Sequence, residues 1–519
     1  MNEEGTDSAF GGRKGKSGME ALLIVKLIQD HAVWSKEQII FKFLDVEKFF
    51  DSMNFKRCLI DIHKSGVRGK YWKAYQNINE YKSCVPYIPS GQCSEISVKN
   101  VFVQGSTDAV LMAWNHMDTL NKKERTIWSK QCVVQGLNFD MLTFVDDIVE
   151  FCKSQIDLVV SGVRVEVIEG ETRLHFKPSK CKLLVMNQKE EIVDNIGEML
   201  LEVVNQHPYL GTLISDDGKR NAEIKKRVSE VKSVSNEIVL ILRTPELSIV
   251  RLRYSHMLAK SCLDAKLKYG CAVWNKLNKT QTKELNLIKI NMFKRLMELP
   301  YSTPSTIVQY EFGIIDIDLE VLMEKVLLYF EVLKGESIGQ RLLTSMLSYS
   351  VPGFCHEVIE ALKTLDMHGN DVTYLTLDKV KLRDMCKDRL VKLQGERLIE
   401  EMLSTSKSDG ILLQEFVFDG KMKDYLYHLP FEQARIVFML RARMFPTKLN
   451  FKGRWENNEC EFCRIPQNDK HLFACPAYID LTEGLIYKDI IGLNLEMDKL
   501  YEASVIMERV KERLEVFNK

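Results

Sequence analysis

Two groups of residues in this 519-residue chain have the types and spacing that chemistry needs: the aspartates Asp45, Asp146 and Asp147, and the set Cys460, Cys463, His471 and Cys475. Asp45 closes the apolar run Ile39-Ile40-Phe41-Lys42-Phe43-Leu44, which reads as a β-strand. Asp146-Asp147 stands at the bend of the hairpin-like Leu142-Thr143-Phe144-Val145-Asp146-Asp147-Ile148-Val149. Both sites fall at strand ends, so one sheet would bring all three acids to one edge. Carboxylates held that close raise one another's pKa unless a cation neutralises them, and hard oxygen ligands select Mg²⁺ or Mn²⁺. The chemistry that suits them is phosphoryl transfer. Two metal ions roughly 3.5–4 Å apart activate an attacking 3′-hydroxyl and stabilise a leaving pyrophosphate. On the acids alone a strand-end cap and a solvated turn are the plainer alternative.

The spacing Cys460-x2-Cys463-x7-His471-x3-Cys475 supplies three thiolates and one imidazole, the ligand set of a closed tetrahedral Zn²⁺ site. The alternative is buried cysteines beside an unrelated histidine. The other cysteines among the thirteen, Cys58, Cys152, Cys262 and Cys271 for example, are mostly single among apolar neighbours. In a reducing compartment such residues are small core hydrophobes.

The elements that must position these groups follow from the apolar pattern. A Gly-rich opening (11–18) leads into a helix over about 19–31, then the strand ending on Asp45. After a helix-like segment and a looser stretch with Pro86, Pro89 and Gly91, a helix is predicted over about 107–120, then the hairpin. Mixed α and β end near Ile214. From Asn221 onward Ile224, Val228, Val231, Ile238 and Leu242 fall at helical spacing, and similar patterns recur through 280–297, 317–334 and 430–444. Lys225, Lys226 and Arg227 lie on the first of these helices, where they face a nucleic-acid backbone or plain solvent; Glu223 and Glu230 are interleaved. Turn-like breaks at 216–218 and 300–304 are the best boundaries.

Length with 45% hydrophobic and 28% charged residues indicates a protein of several domains. Lys+Arg and Asp+Glu both number 72, so net charge leaves no footprint of nucleic-acid binding, and any phosphate-binding surface must come from local segregation of charge. No stretch approaches the ~20 uncharged apolar residues of a membrane span, and the start lacks the regions of a signal peptide. The expectation is an intracellular protein, in cytoplasm and nucleus, with no membrane partner.

The surroundings of the acids resemble the reverse transcriptases of non-LTR (LINE-type) retrotransposons. Phe43-Leu44-Asp45-Val46-Glu47-Lys48-Phe49-Phe50-Asp51-Ser52 looks like the family's first palm motif, Val103-Gln104-Gly105-Ser106 like the next, and Thr143-Phe144-Val145-Asp146-Asp147 like its aromatic-x-Asp-Asp box. Phe176-Lys177-Pro178-Ser179-Lys180-Cys181-Lys182 and Tyr209-Leu210-Gly211-Thr212-Leu213-Ile214 resemble the two motifs that follow. The resemblance implies Asp45, Val46 and Asp146 as Mg²⁺ (or Mn²⁺) ligands, with Asp147 completing the acid triad. It implies Phe50 as the aromatic that blocks a ribose 2′-hydroxyl, and Gln104, Gly105 and Phe144 at the nucleotide. Lys180 or Lys182 assists the pyrophosphate, and Tyr209, Leu210 and Gly211 form the primer grip. Phe10-Gly11-Gly12-Arg13-Lys14-Gly15-Lys16-Ser17 is similar to a basic segment ahead of the palm, which gives Arg13 and Lys14 a nucleic-acid role. Leu267-Lys268-Tyr269-Gly270-Cys271-Ala272-Val273-Trp274 and the Cys/His set resemble regions after the palm.

The expected fold class is therefore α+β: a right-hand polymerase with partial fingers, palm and thumb, a mainly α-helical C-terminal region and a small zinc knuckle. The expected divisions are 1–215 partial fingers and palm, 216–300 thumb, 301–450 helical region, 451–480 knuckle and 481–519 helical tail. The expected function is RNA-directed DNA polymerisation with an RNA template, a DNA primer or target and dNTPs, using Mg²⁺ or Mn²⁺, with Zn²⁺ held structurally. The chain departs from the family where Gly105 is followed by Ser106-Thr107-Asp108, and it begins too late for the family's upstream fingers motifs. These departures support a second expectation, a truncated or co-opted remnant that binds RNA or DNA without catalysis. A third, a group II intron maturase-like protein, is disfavoured by the Tyr269-Gly270 and Cys/His regions.

Overall fold

The computed structural model describes residues 9–11, 13, 15–80, 82–85, 87–89, 91–92, 94–98, 109, 112–113, 117, 132–172, 174–367, 372–404, 417–451, 454–455 and 457–517. They form two compact units, one of 1–223, 272–275 and 325–377, the other of 224–271, 276–324 and 378–519.

The first unit is built on a five-stranded sheet. Its strands are β1 (Ile39–Asp45), β2 (Met141–Phe144), β3 (Asp147–Cys152), β4 (Lys182–Met186) and β5 (Glu202–Val203), in the order β5-β4-β1-β3-β2. β1 is antiparallel to both neighbours, while β4 and β5 run parallel. A central strand covered on both faces must be apolar throughout, which is why β1 reads as an unbroken hydrophobic run. Ile40 and Leu44 point into a core shared with Cys58, Leu59 and Ile62 of α2 (Phe55–Lys64) and with Leu158, Val165 and Ile168 of α4 (Gln155–Thr172). Between them in sequence is α3 (Gly69–Glu80). Phe41 and Phe43 point the other way. Phe41 meets Phe151 edge-on at 5.4 Å, and Phe43 stacks at 4.3 Å on His207 of the hairpin β6 (Gln206–Tyr209) and β7 (Thr212–Ser215).

Lys42 is the exception in β1, fully buried on the Ile40 face. Its ammonium lies 2.7 Å from Asp194 and donates to Ser161 Oγ at 3.0 Å. Directly opposite it in register is Glu150, which takes hydrogen bonds from Ser161 and from Arg164. Burial pushes the Asp194 carboxyl up, and Lys42 opposes that shift. A buried charge survives only where it is paired and hydrogen-bonded, so this cluster fixes the β1–β3 register from behind.

Helix α1 (Gly18–Ser35) starts where Ser17 Oγ accepts the Glu20 N–H, and ends where Lys36 turns left-handed at φ +59°. It is buried from Glu20 to Ala32. Lys26 pairs with Asp30 at 2.8 Å and donates to Gly218 O, Gln29 donates to Ser215 O at 2.7 Å, and Asp30 accepts the Phe354 N–H at 2.9 Å. The polar side of α1 thus holds both the turn after β7 and the helix Phe354–Thr364.

The second unit is helical. Among its members are α5 (Asn221–Leu242, from its second turn), α6 (Lys279–Leu296), α7 (Ser305–Phe312), α8 (Lys379–Ser404), α9 (Phe431–Arg441) and α10 (Met497–Phe517). Phe293 stacks on Phe312 at 4.1 Å, and the buried Glu311 accepts from Arg441 at 2.7 Å and from Tyr425 at 3.0 Å. Among the described residues no helix is long and apolar enough to cross a membrane.

Replacing Lys42 by Met keeps the volume and removes the charge, leaving Asp194 and Glu150 short of a buried cation. Chemical denaturation of Lys42→Met is expected to show a loss of about 3–5 kcal/mol; a change near zero would show that the cluster does not hold the register.

Candidate active site

The β1–β3 pairing sets Asp45 directly opposite Asp147. Asp147 also pairs with Phe144 across the β2–β3 hairpin, so Asp146 occupies the turn beside both. That turn is strained: Val145 has φ +60°, a region β-branched residues avoid. The N-terminal segment braces it. Phe10 N donates to Thr143 O at 2.9 Å, and a Cβ on Gly11 would come within 2.6 Å of Val145 N, so only glycine fits there.

The segment before β4 folds back over Asp45. Glu47 N donates to His175 O at 2.8 Å, Lys177 N to Asp45 O at 2.9 Å, and Val46 forms a bridge with Phe176. This sets the Lys180 ammonium 3.1 Å from Asp45 Oδ1. Lys182, two residues on, is 2.9 Å from Glu202 instead. The two lysines left open by the sequence are thereby distinguished: Lys180 is at the acids, and Lys182 is tied to β5.

The Asp147 carboxyl is raised from its ordinary 3.8 to about 6, first by burial, then by Asp146 and Asp45, with Lys180 opposing. Residue Asp147 is open to solvent on its outer side, but its carboxyl forms part of the wall of a cavity of about 410 Å³ between the sheet and the β6–β7 hairpin. Three carboxylates with one lysine fit a hard divalent cation, whose charge would offset the repulsion among them.

Tyr209 and His207 line the same cavity. Tyr209 is fully buried, its hydroxyl has no hydrogen-bond partner among the described residues, and burial together with Asp147 pushes its pKa up. Leu210 and Gly211 make the tight turn beyond it at φ +45° and +76°. Sequence reasoning missed His207. Its signal is the period of two that places it on the same face as Tyr209. Burial and then Lys182 hold the imidazole down to about 4, so it stays neutral at physiological pH.

The remaining candidates are dispersed. Phe50 is half-buried in the short helix Phe49–Ser52, edge-on to Phe49 at 5.4 Å. Phe144 lies beside the start of α1, where a Cβ on Gly18 would be 3.5 Å from its ring. Arg13 is half-buried; Lys14, Gln104 and Gly105 lie outside the described residues. In the second unit Lys225 and Lys226 are exposed on α5. Arg227 turns inward, its guanidinium 5.6 Å over the Tyr269 ring and 3.4 Å from Glu230, which takes it out of any solvent-facing basic row.

The second unit also assembles the cysteine set. The ligand atoms of Cys460, Cys463, His471 and Cys475 all lie within 4.8 Å of one another. Cys475 Sγ is 3.7 Å from Cys460 Sγ and 3.8 Å from Cys463 Sγ, and His471 Nε2 is 3.5 Å from Cys463 Sγ. Sulfurs about 2.3 Å from a tetrahedral zinc stand roughly 3.8 Å apart, so these spacings suit Zn²⁺. Burial opposes ionisation of Cys460, yet N–H groups of Phe462 and Cys463 directed at its sulfur bring the thiol below its usual value. The loop packs on α10, with Phe462 and Phe517 rings 4.6 Å apart.

Residues 3–214 match the family described as reverse transcriptase (RNA-dependent DNA polymerase). The match covers this part of the chain only, and it is to a family of RNA-directed DNA polymerases that generally use Mg²⁺. No curated protein matches the chain significantly. Similar solved structures are the telomerase of Candida albicans in complex with a telomeric RNA fragment (11% identity, 68% of this chain and 55% of that one, TM-score 0.34) and that of Candida tropicalis with the same kind of fragment (14%, 73% and 53%, 0.34). The apo Candida tropicalis telomerase is a third (13%, 73% and 57%, 0.34). This chain spans little more than half the length of those chains.

A carboxyl raised in the folded state costs stability once pH exceeds its unfolded value. For Asp147 the cost begins as pH rises past 3.8 and is complete above about 6. Asp147→Asn in the metal-free chain is therefore expected to raise the denaturation midpoint at pH 7.5 and leave it unchanged near pH 3.5. An equal midpoint difference at both pH values would contradict the raised Asp147 carboxyl.

Proposed function

We propose that the chain is the RNA-directed DNA polymerase of a non-LTR retrotransposon, extending a primer 3′ end with dNTPs along an RNA template. The observation that carries this reading is the convergence of Asp45, Asp146 and Asp147 at one sheet edge, with Asp147 raised to about 6, inside the segment that matches the reverse transcriptase family. Asp45, the backbone of Val46 and Asp146 would hold Mg²⁺ (or Mn²⁺), which when bound activates the primer hydroxyl and stabilises the leaving pyrophosphate. Lys180, 3.1 Å from Asp45, is placed to neutralise charge on that pyrophosphate. Phe50 excludes a ribose 2′-hydroxyl, while Phe144, Gln104 and Gly105 serve the nucleotide. The turn Tyr209-Leu210-Gly211 steadies the primer end, and the neutral His207 beside it adds no positive charge to compete with the metal for the acids.

In this reading 1–215 supply fingers and palm and 216–300 a thumb whose Lys225 and Lys226 meet the duplex backbone, as Arg13 and Lys14 do from the N-terminal side. Residues 301–450 form the helical region, 451–480 a knuckle in which Cys460, Cys463, His471 and Cys475 hold Zn²⁺ structurally, and 481–519 a tail. The retrotransposon assignment rests on the Phe10-to-Ser17 and Leu267-to-Trp274 segments and on the cysteine set. An RNA template and a DNA target imply work in both cytoplasm and nucleus.

Primer extension on poly(rA)/oligo(dT) with Mg²⁺ or Mn²⁺ tests the reading. Asp146→Asn is expected to lose on the order of 10³-fold in rate, because metal-borne charge stabilisation is worth several kcal/mol. Equal product in both proteins, or none in either, removes the enzyme reading in favour of a nucleic-acid-binding remnant. Elemental analysis is expected to find about one zinc per chain and little in Cys475→Ser, and undiminished zinc in that variant would dismiss the knuckle.

A further inference from the structure

The α2–α3 hairpin carries a cavity that the polymerase reading leaves unused. Its volume is about 450 Å³, and its walls are Ile60, His63, Lys64, Gly69, Trp72 and Lys73. α2 packs through Cys58, Leu59 and Ile62 on the Ile40 and Leu44 face of the sheet, away from the Phe43 face that meets His207. The cavity is thus separate from the one at the acids.

Its aromatic wall is fixed in place. Trp72 Nε1 donates to Leu59 O at 3.1 Å, and the His63 ring meets the indole edge-on at 6.0 Å and 80°. Nearby Tyr71 is 65% exposed, with the Lys70 ammonium 5.3 Å from its ring centre. Charge is segregated here as nowhere visible in the chain totals. Residues 56–73 contain Lys56, Arg57, Lys64, Arg68, Lys70 and Lys73 against Asp61 alone, six minus one or +5, in a chain whose net charge is zero. Asp61 is buried against Arg57 at 3.3 Å, so it does not blunt the exposed lysines.

We propose that this surface binds a single strand of RNA, with a base stacked on Trp72 and flanking phosphates on Lys64, Lys70 and Lys73. Aromatic platforms beside a basic track hold single strands because every base has a π-face and every nucleotide a charge. A duplex hides the faces of its bases, and an acidic peptide would meet the lysines but leave the Trp72 wall without a planar partner. The choice of RNA rests on the polymerase reading, in which a template reaches the acids as a single strand.

The test uses the full chain and fluorescein-labelled oligo(U) in an anisotropy titration at two salt concentrations. Lys64→Ser/Lys73→Ser, both exposed positions, is expected to weaken binding at least tenfold and to shallow the salt dependence by about two phosphates. Trp72→Ala is expected to weaken it about fivefold or more, and 4-thiouridine cross-links are expected in the peptide spanning residues 63–73. Unchanged affinity in the double-serine variant, or cross-links confined elsewhere, overturns the proposal. So does a poly-glutamate peptide that binds as tightly as oligo(U) and is lost with the same lysines. Extension by Asp146→Asn and by the double-serine variant on poly(rA)/oligo(dT) separates the two readings. Loss of oligo(U) affinity with no extension by any protein sinks the polymerase alone, whereas normal extension with undiminished affinity sinks this surface alone.

Discussion

Three carboxylates at the end of two adjacent strands repel one another, and the first unit is organised around holding them there. Asp147 shows the cost: burial first, and then Asp146 and Asp45 beside it, raise its carboxyl to about 6. What resists the repulsion is the β1–β3 pairing, and that pairing is secured on the far face, where Lys42 stands opposite Glu150 within a closed group of Ser161, Arg164 and Asp194. A one-residue slip would carry Lys42 to the Phe43 face and Asp45 away from Asp147. The buried charges therefore contribute specificity of register to the same strands that carry the acids.

Two further constraints act on the acids from the front. The β2–β3 turn keeps Val145 at a positive φ, and it does so with Gly11 pressed against its backbone, so the N-terminal segment and the Asp146-Asp147 turn are sterically coupled. On the other side the β6–β7 hairpin packs against β1 through Phe43 on His207 and leaves an open cavity beneath the acids. Tyr209, buried beside Asp147, lines that cavity.

The second unit handles buried charge differently. Glu311 satisfies both Arg441 and Tyr425, and the loop of Cys460, Cys463, His471 and Cys475 gathers four soft ligands at distances that suit one ion. A loop with so little apolar core beneath it benefits from a metal that binds only the folded arrangement. Its packing on α10 through Phe462 and Phe517 joins that local order to the helices.

Local pattern made much of this legible. The unbroken apolar run of β1, the hairpin around Asp146-Asp147, the helical repeats that became α5, α6 and α9, and the ligand spacing of the cysteine set are all short-range features, fixed by periodicity and residue type. The match of residues 3–214 to the reverse transcriptase family is likewise a property of the sequence alone. Other properties depend on residues far apart in sequence. Only the folded chain distinguishes Lys180 from Lys182, because that depends on which of two lysines reaches Asp45 across the sheet. It alone turns Arg227 inward onto Tyr269, brings 325–377 into the first unit beside α1, and puts a neutral His207 next to the acids. Residue type and spacing determine which chemistry a group can perform; its charge state and its neighbours are set by burial and long-range contact, which no local stretch of sequence encodes.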